Sequence, residues 1–143
     1  MNKNSRLTIW LTLALISLVA CSNCKEPQAI ELKPGMDVVA AWTGNSWWVA
    51  KIDSISADGV TVTYSDNTKG TKPKNQVLPH PKLQYSSGKP CCFKPGDKVV
   101  AKWKNDNWWI ATIDKVDHNR ADLTYADGEK GNQSTMDIVR YTP

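Results

Sequence analysis

Histidine is scarce in this sequence: His80 and His118 are the only two, and no nucleophile, base and orienting residue stand in a catalytic order around either. A glycine-rich loop of the kind that cradles phosphate is absent, which removes the usual nucleotide-binding signal. Charge of one sign is not concentrated either. The formal net charge is +4, too small to draw the chain strongly to the phosphates of nucleic acid. Helical periodicity is missing throughout, and apolar residues recur with a period of two. Phenylalanine occurs once and tyrosine four times, whereas tryptophan occurs seven times. So much tryptophan in a chain of 143 residues needs a core, a partner or a ligand to cover it, because this side chain is rarely buried completely.

The single long apolar run, "LTIWLTLALISLVA" at residues 7–20, follows Lys3 and Arg6. It is shorter than the roughly 20 residues that cross a bilayer as a helix, and it has the layout of a secretory signal. Its end, "LVAC", resembles a bacterial lipobox, which implies lipidation of Cys21, cleavage before it, and a mature chain held on the membrane by several acyl chains. The alternative is an ordinary signal peptide followed by a chance cysteine. Loss of residues 1–20 takes Lys3 and Arg6 with it and lowers the formal charge to +2. Ser22 after the cysteine resembles outer-membrane sorting in enteric bacteria, so the expected location is the cell envelope, on the outer membrane if the cell is Gram-negative.

Export permits disulfides. With Cys21 taken by lipid, Cys24, Cys91 and Cys92 remain, an odd number that leaves one thiol free or paired between molecules. A bond from Cys24 to Cys91 or to Cys92 would tie the anchor segment to the linker, and both pairings stay open. Adjacent cysteines lack the spacing of a structural zinc site, so no metal is expected with His80. No cofactor is implied.

Two stretches repeat without a gap. "KPGMDVVAAW" starts at Lys33 and "KPGDKVVAKW" at Lys94, an offset of 61 that also carries Trp42 to Trp103, Trp47 to Trp108, Trp48 to Trp109, Tyr64 to Tyr125, Asp66 to Asp127 and Gly70 to Gly131. Two homologous domains are therefore expected, at 30–79 and 93–143, after a signal peptide at 1–20 and an anchor segment at 21–29, with a linker at 80–92. In each, short alternating runs separated by polar turns predict an all-β fold of four or five strands bent into a small antiparallel barrel.

Strand order brings the aromatics together. Trp42 ends the first strand, Trp48 begins the second, and Tyr64 ends the third, so all three reach one end of the sheet, with Asp66 two residues beyond. The second copy predicts the same meeting of Trp103, Trp109, Tyr125 and Asp127. By alternation Trp47 and Trp108 face the other way, onto the linker or neighbouring domain, or into a separate binding patch.

The stretch "KPGDKVVAKWKNDNWWIATIDKVDHNRADLTYADGEKG" resembles a Tudor domain of the SH3-like barrel class, akin to Agenet modules, and both copies share the pattern. The resemblance implies an aromatic cage for methylated lysine or arginine, with walls at Trp42, Trp48 and Tyr64 and at Trp103, Trp109 and Tyr125. Where many such cages place a further aromatic and an amide, this chain has Asn67 or Gly128 and Lys69 or Lys130; a lysine there would repel a cationic guest. The clusters either plug the ends of undersized barrels or form partly open grooves. The leading expectation is a non-catalytic module that binds a peptide or protein; a cell-wall glycan or peptidoglycan module and a structural spacer are the alternatives. Asp53 and Asp114 also recur, one carboxylate per copy just after a strand, which reads as a turn or strand-edge partner rather than an acid–base pair.

Overall fold

A computed structural model describes residues 29–84 and 93–143. The expected lipid site at Cys21 and the candidate disulfide residues Cys24, Cys91 and Cys92 lie outside the described residues. Among the described residues, no helix is long and apolar enough to cross a membrane.

The first repeat forms β1 (Asp37–Ala41), β2 (Ser46–Ser56), β3 (Gly59–Tyr64), β4 (Lys69–Lys72) and β5 (Val77–Pro79). The second forms β6 (Lys98–Lys102), β7 (Trp108–Asp117), β8 (Arg120–Tyr125), β9 (Lys130–Ser134) and β10 (Ile138–Arg140). In each, four strands meander, a single 3-10 turn follows, and the fifth strand returns antiparallel beside the first. This is the order of a small SH3-like barrel, so the chain is all-β and built as two tandem antiparallel barrels.

The bend of these barrels has a local cause. The register between β2 and β3 slips between Ile52 and Ser54, and that between β7 and β8 slips between Ile113 and Lys115. A bulge adds one residue to one strand, raises its twist and lets a long strand serve two parts of a barrel wall. Entry into each barrel is a "KPG" turn whose glycine takes a left-handed backbone, φ 85° at Gly35 and 92° at Gly96. There its N–H donates to the carbonyl of Ile52 or Ile113 at 2.7 Å, a conformation that glycine adopts without a Cβ penalty.

Three cores follow from the alternation. Val38, Ala40, Ala50, Ile52, Val60, Val62 and Tyr64 fill the first barrel, and Val99, Ala101, Ala111, Ile113, Leu123 and Tyr125 fill the second. The opposite faces of β1 and β6 supply Val39 and Val100 to a third core, with Trp47, Trp108 and Val139. That core joins the repeats. β2 pairs with β7, Ser46 opposite Trp109 and Trp47 opposite Trp108, so that six strands run continuously in the order β10-β6-β7-β2-β1-β5.

Trp47 and Trp108 therefore lie opposite their own counterparts, on the local two-fold relation between the repeats. They are 1% and 2% exposed. Tyr141 meets Trp47 edge-on at 5.3 Å, and His80, which the offset of 61 maps onto Tyr141, meets Trp108 at 5.6 Å. Neither buried indole N–H has an acceptor among the described residues, so these rings are held by packing. Beyond β5 the chain is still engaged: His80 is packed as described and α1 (Pro81–Gln84) follows. Burial lowers the proton affinity of the His80 imidazole.

Candidate functional site

The end of the first barrel brings three of the four expected residues into ring contact. The chain turns after β1, and the Trp42 N–H donates to the Ser46 carbonyl at 2.9 Å, which sets Trp42 opposite Ser46 and diagonal to Trp48. Their rings stack at 5.7 Å with 28° between planes, and Trp42 meets Tyr64 edge-on at 4.8 Å. Both geometries are favoured by the ring quadrupoles. The two indoles are half-buried, while Tyr64 is 2% exposed.

Tyr64 is thus the floor of the cluster. Its hydroxyl donates to the Ala41 carbonyl at 2.6 Å, pinning the end of β1. Burial, with the Asp66 carboxylate beside it, pushes the phenol up to about 12. Gly70 on β4 passes beneath the ring: a Cβ there would stand 3.4 Å from Tyr64 Cε2. In the second barrel the fit is tighter, and a Cβ on Gly131 would lie 2.6 Å from Tyr125 Cε2. Recurrence of this glycine follows from ring-on-backbone packing.

The second cluster has a different arrangement. Trp103 and Tyr125 approach to 4.0 Å at 54°, and the Tyr125 hydroxyl donates to the Lys102 carbonyl at 2.5 Å and accepts from Gln133 Nε2 at 3.1 Å. Trp109 packs on the same core, but among the described rings it forms no stacked or edge pair with Trp103. Burial raises the Tyr125 phenol as well.

Asp66 and Asp127 are exposed and serve the turns after β3 and β8. Asp66 accepts from the backbone N–H and hydroxyl of Thr68 at 2.9 and 2.7 Å, and Asp127 accepts from the N–H of Glu129 at 3.0 Å. The Thr68 hydroxyl is the main reason the Asp66 carboxyl sits below its usual range. These carboxylates reach the clusters through their field on the tyrosine and are spent locally as turn acceptors.

Lys69 and Lys130 do not point at the rings. Lys69 Nζ donates to Asp53 Oδ2 at 2.8 Å, beside the Thr63 hydroxyl at 2.8 Å, and Lys130 repeats this with Asp114 at 2.9 Å and Thr124. Thr63 alternates with Tyr64 along β3, so the lysine lies on the opposite face of the strand. Bonding to Lys69, then Thr63, lowers the Asp53 carboxyl; for Asp114 the order is Thr124, then Lys130. The recurrent aspartates are cross-strand clamps, and they lie within β2 and β7 rather than just after a strand as expected, because each strand runs on past the bulge.

Sequence reading missed two lysines that do approach the clusters. Lys72 Nζ donates to the Trp42 carbonyl at 3.2 Å. Lys104 Nζ stands 4.7 Å from the centroid of the Trp103 ring and is held there by Glu129 Oε2 at 2.9 Å.

No protein-family model matches the chain, and no curated protein matches it. Among solved structures, the crystal structure of AGDP1 AGD34 from Arabidopsis thaliana is similar at 18% identity over 76% of this chain and 82% of that one, with a TM-score of 0.48. The ADCP1 tandem Agenet domain 3-4 is similar at 20% identity over 76% of this chain and 79% of that one, also at 0.48.

Proposed function

We propose that this chain is a non-catalytic envelope lipoprotein, acylated at Cys21, whose tandem barrels hold a peptide or protein by their tryptophan clusters. The observation that carries the binding reading is the stacked, half-exposed pair Trp42 and Trp48 above a tyrosine that is already buried. A plug that served only the core would not need two more large rings left partly in water, where each forgoes some of the roughly 1.5–3 kcal/mol that full burial of a large apolar side chain contributes. Rigid aromatic surface of this kind binds at low entropic cost and is enriched where proteins meet partners. The anchoring part of the proposal is supported by the order of Lys3, Arg6, the apolar run and "LVAC".

Tryptophan fluorescence titrated with envelope peptides, muropeptides and membrane extracts tests the binding, with Trp48→Ala plus Trp109→Ala as the control. A peptide or protein that shifts the emission of the parent chain and not of the folded double variant supports the proposal. A response confined to muropeptides would move the assignment to cell-wall glycan, and unchanged capture by the folded double variant would refute a role for the clusters. Fatty-acid labelling that persists in Cys21→Ala would refute the anchor.

A further inference from the structure

The offset of 61 that preserves the rings does not preserve what stands beside them. It maps Thr43 onto Lys104 and Thr68 onto Glu129, so the first repeat has two neutral side chains where the second has an ion pair. Lys104 is the residue directly after Trp103, in the 3-10 turn Lys104–Asp106. Its ammonium lies over the indole at 4.7 Å, within the range at which a cation is attracted by the negative face of a ring. The Glu129 carboxylate at 2.9 Å holds it from the turn after β8. In the first repeat, Lys72 is hydrogen bonded to the carbonyl of Trp42; among the described residues only the faces of Trp103 and Phe93 carry a cation.

We propose that Lys104, steered by Glu129, is a built-in cap on the face of Trp103, so that the two aromatic clusters are unequal and the first repeat presents the one without a cation over its rings. The consequence for recognition rests on the binding function proposed above, but the cap itself is a property of the free chain. Any ligand for Trp103 has to displace an ammonium tethered one residue away, whereas a ligand for the Trp42 and Trp48 pair does not. Both Lys104 and Glu129 are solvent-exposed, with side chains 67% and 54% accessible, so the cap is weak and reversible. A cation over an exposed ring favours the covered state by about two- to fivefold, enough to rank the repeats and too little to silence one.

Two ligand-free measurements on the full chain decide this. The first is the ring-current shift of the Lys104 ε-methylene protons, with Glu129→Gln as a variant that leaves lysine and tryptophan in place. The cap predicts upfield methylene signals that move toward ordinary lysine positions in Glu129→Gln. The second is flavin photo-CIDNP, which polarises only indoles that the dye can touch. Trp103 is expected to gain about two- to fivefold in Lys104→Thr, with Trp42 polarisation and the dispersion of the other amide signals unchanged. Ordinary methylene shifts in the parent chain, or Trp103 polarisation unaltered by Lys104→Thr, would overturn the cap. Neither readout involves a partner, so a chain that bound nothing would still show it or lack it.

Discussion

At the scale of single residues, the two tyrosines explain more of the site than the tryptophans around them. Tyr64 joins three roles in one side chain: it fills the barrel, carries the edge of Trp42, and ties β1 through the Ala41 carbonyl. Tyr64→Phe keeps the ring and removes the donor, which leaves that carbonyl without its partner. A loss of about 1 kcal/mol is expected in denaturant unfolding, with the half-exposed tryptophans unchanged in near-ultraviolet signal. The pH dependence follows from the same burial. The folded phenol ionises at about 12 and the unfolded one near 10, so the folded state retains a proton that the unfolded state gives up. The contribution is present below about pH 10 and is lost as pH rises toward 12. Tyrosinate absorbance should therefore lag in the native chain and rise together with unfolding. Ionisation of Tyr64 near pH 10 without unfolding would contradict this account.

At the scale of strands, the repeat and the period of two were legible, and they carried the fold class and the convergence of Trp42, Trp48 and Tyr64. The run "DVVAA" also held a clue to the third core, since a strand apolar on both faces is buried on both. What could not be read was anything set by a bulge or by the reach of a long side chain. The Tudor resemblance put Lys69 at a cage position, yet strand alternation sends it to Asp53 on the far face. Lys104 meets Glu129 across 25 residues, a pairing that no local pattern announces. Asp66 was expected at the cluster mouth, and its short side chain instead satisfies the turn that follows it. Gly131 shows how strand placement sets a residue: β9 runs under the Tyr125 ring so closely that any Cβ meets it at 2.6 Å. Gly131→Ala is expected to displace the ring and cost about 1–3 kcal/mol. Gly70→Ala, with 3.4 Å available, should cost less. Equal losses in thermal unfolding would show that the tyrosine ring does not set the glycine requirement.

At the scale of the whole molecule, duplication has produced one body rather than two beads on a linker. Each repeat alone is near the lower size limit for an independent hydrophobic core, and each exposes an apolar outer face on its first two strands. Pairing β2 with β7 buries those faces against each other and places Trp47 and Trp108 at the centre, with Val39, Val100 and Val139 around them. The same pairing orients the rings of the two clusters, because Trp48 and Trp109 are the next residues along those strands and face the other way. Adjacent tryptophans therefore serve different cores in each repeat, Trp47 and Trp108 the core shared between repeats and Trp48 and Trp109 the core of their own barrel. Trp47→Ala tests the shared core. It removes a ring that is 1% exposed and in edge contact with Tyr141, at a cost of about 3–5 kcal/mol, most of it from the contact between repeats. The parent chain is expected to unfold in a single cooperative transition, and Trp47→Ala in two, as each barrel melts with its own midpoint. Trp42→Ala, which truncates a half-exposed ring outside the shared core, should lower the midpoint and leave one transition. Two transitions in the parent chain, or one in Trp47→Ala at a slightly lower midpoint, would mean that the third core does not couple the barrels.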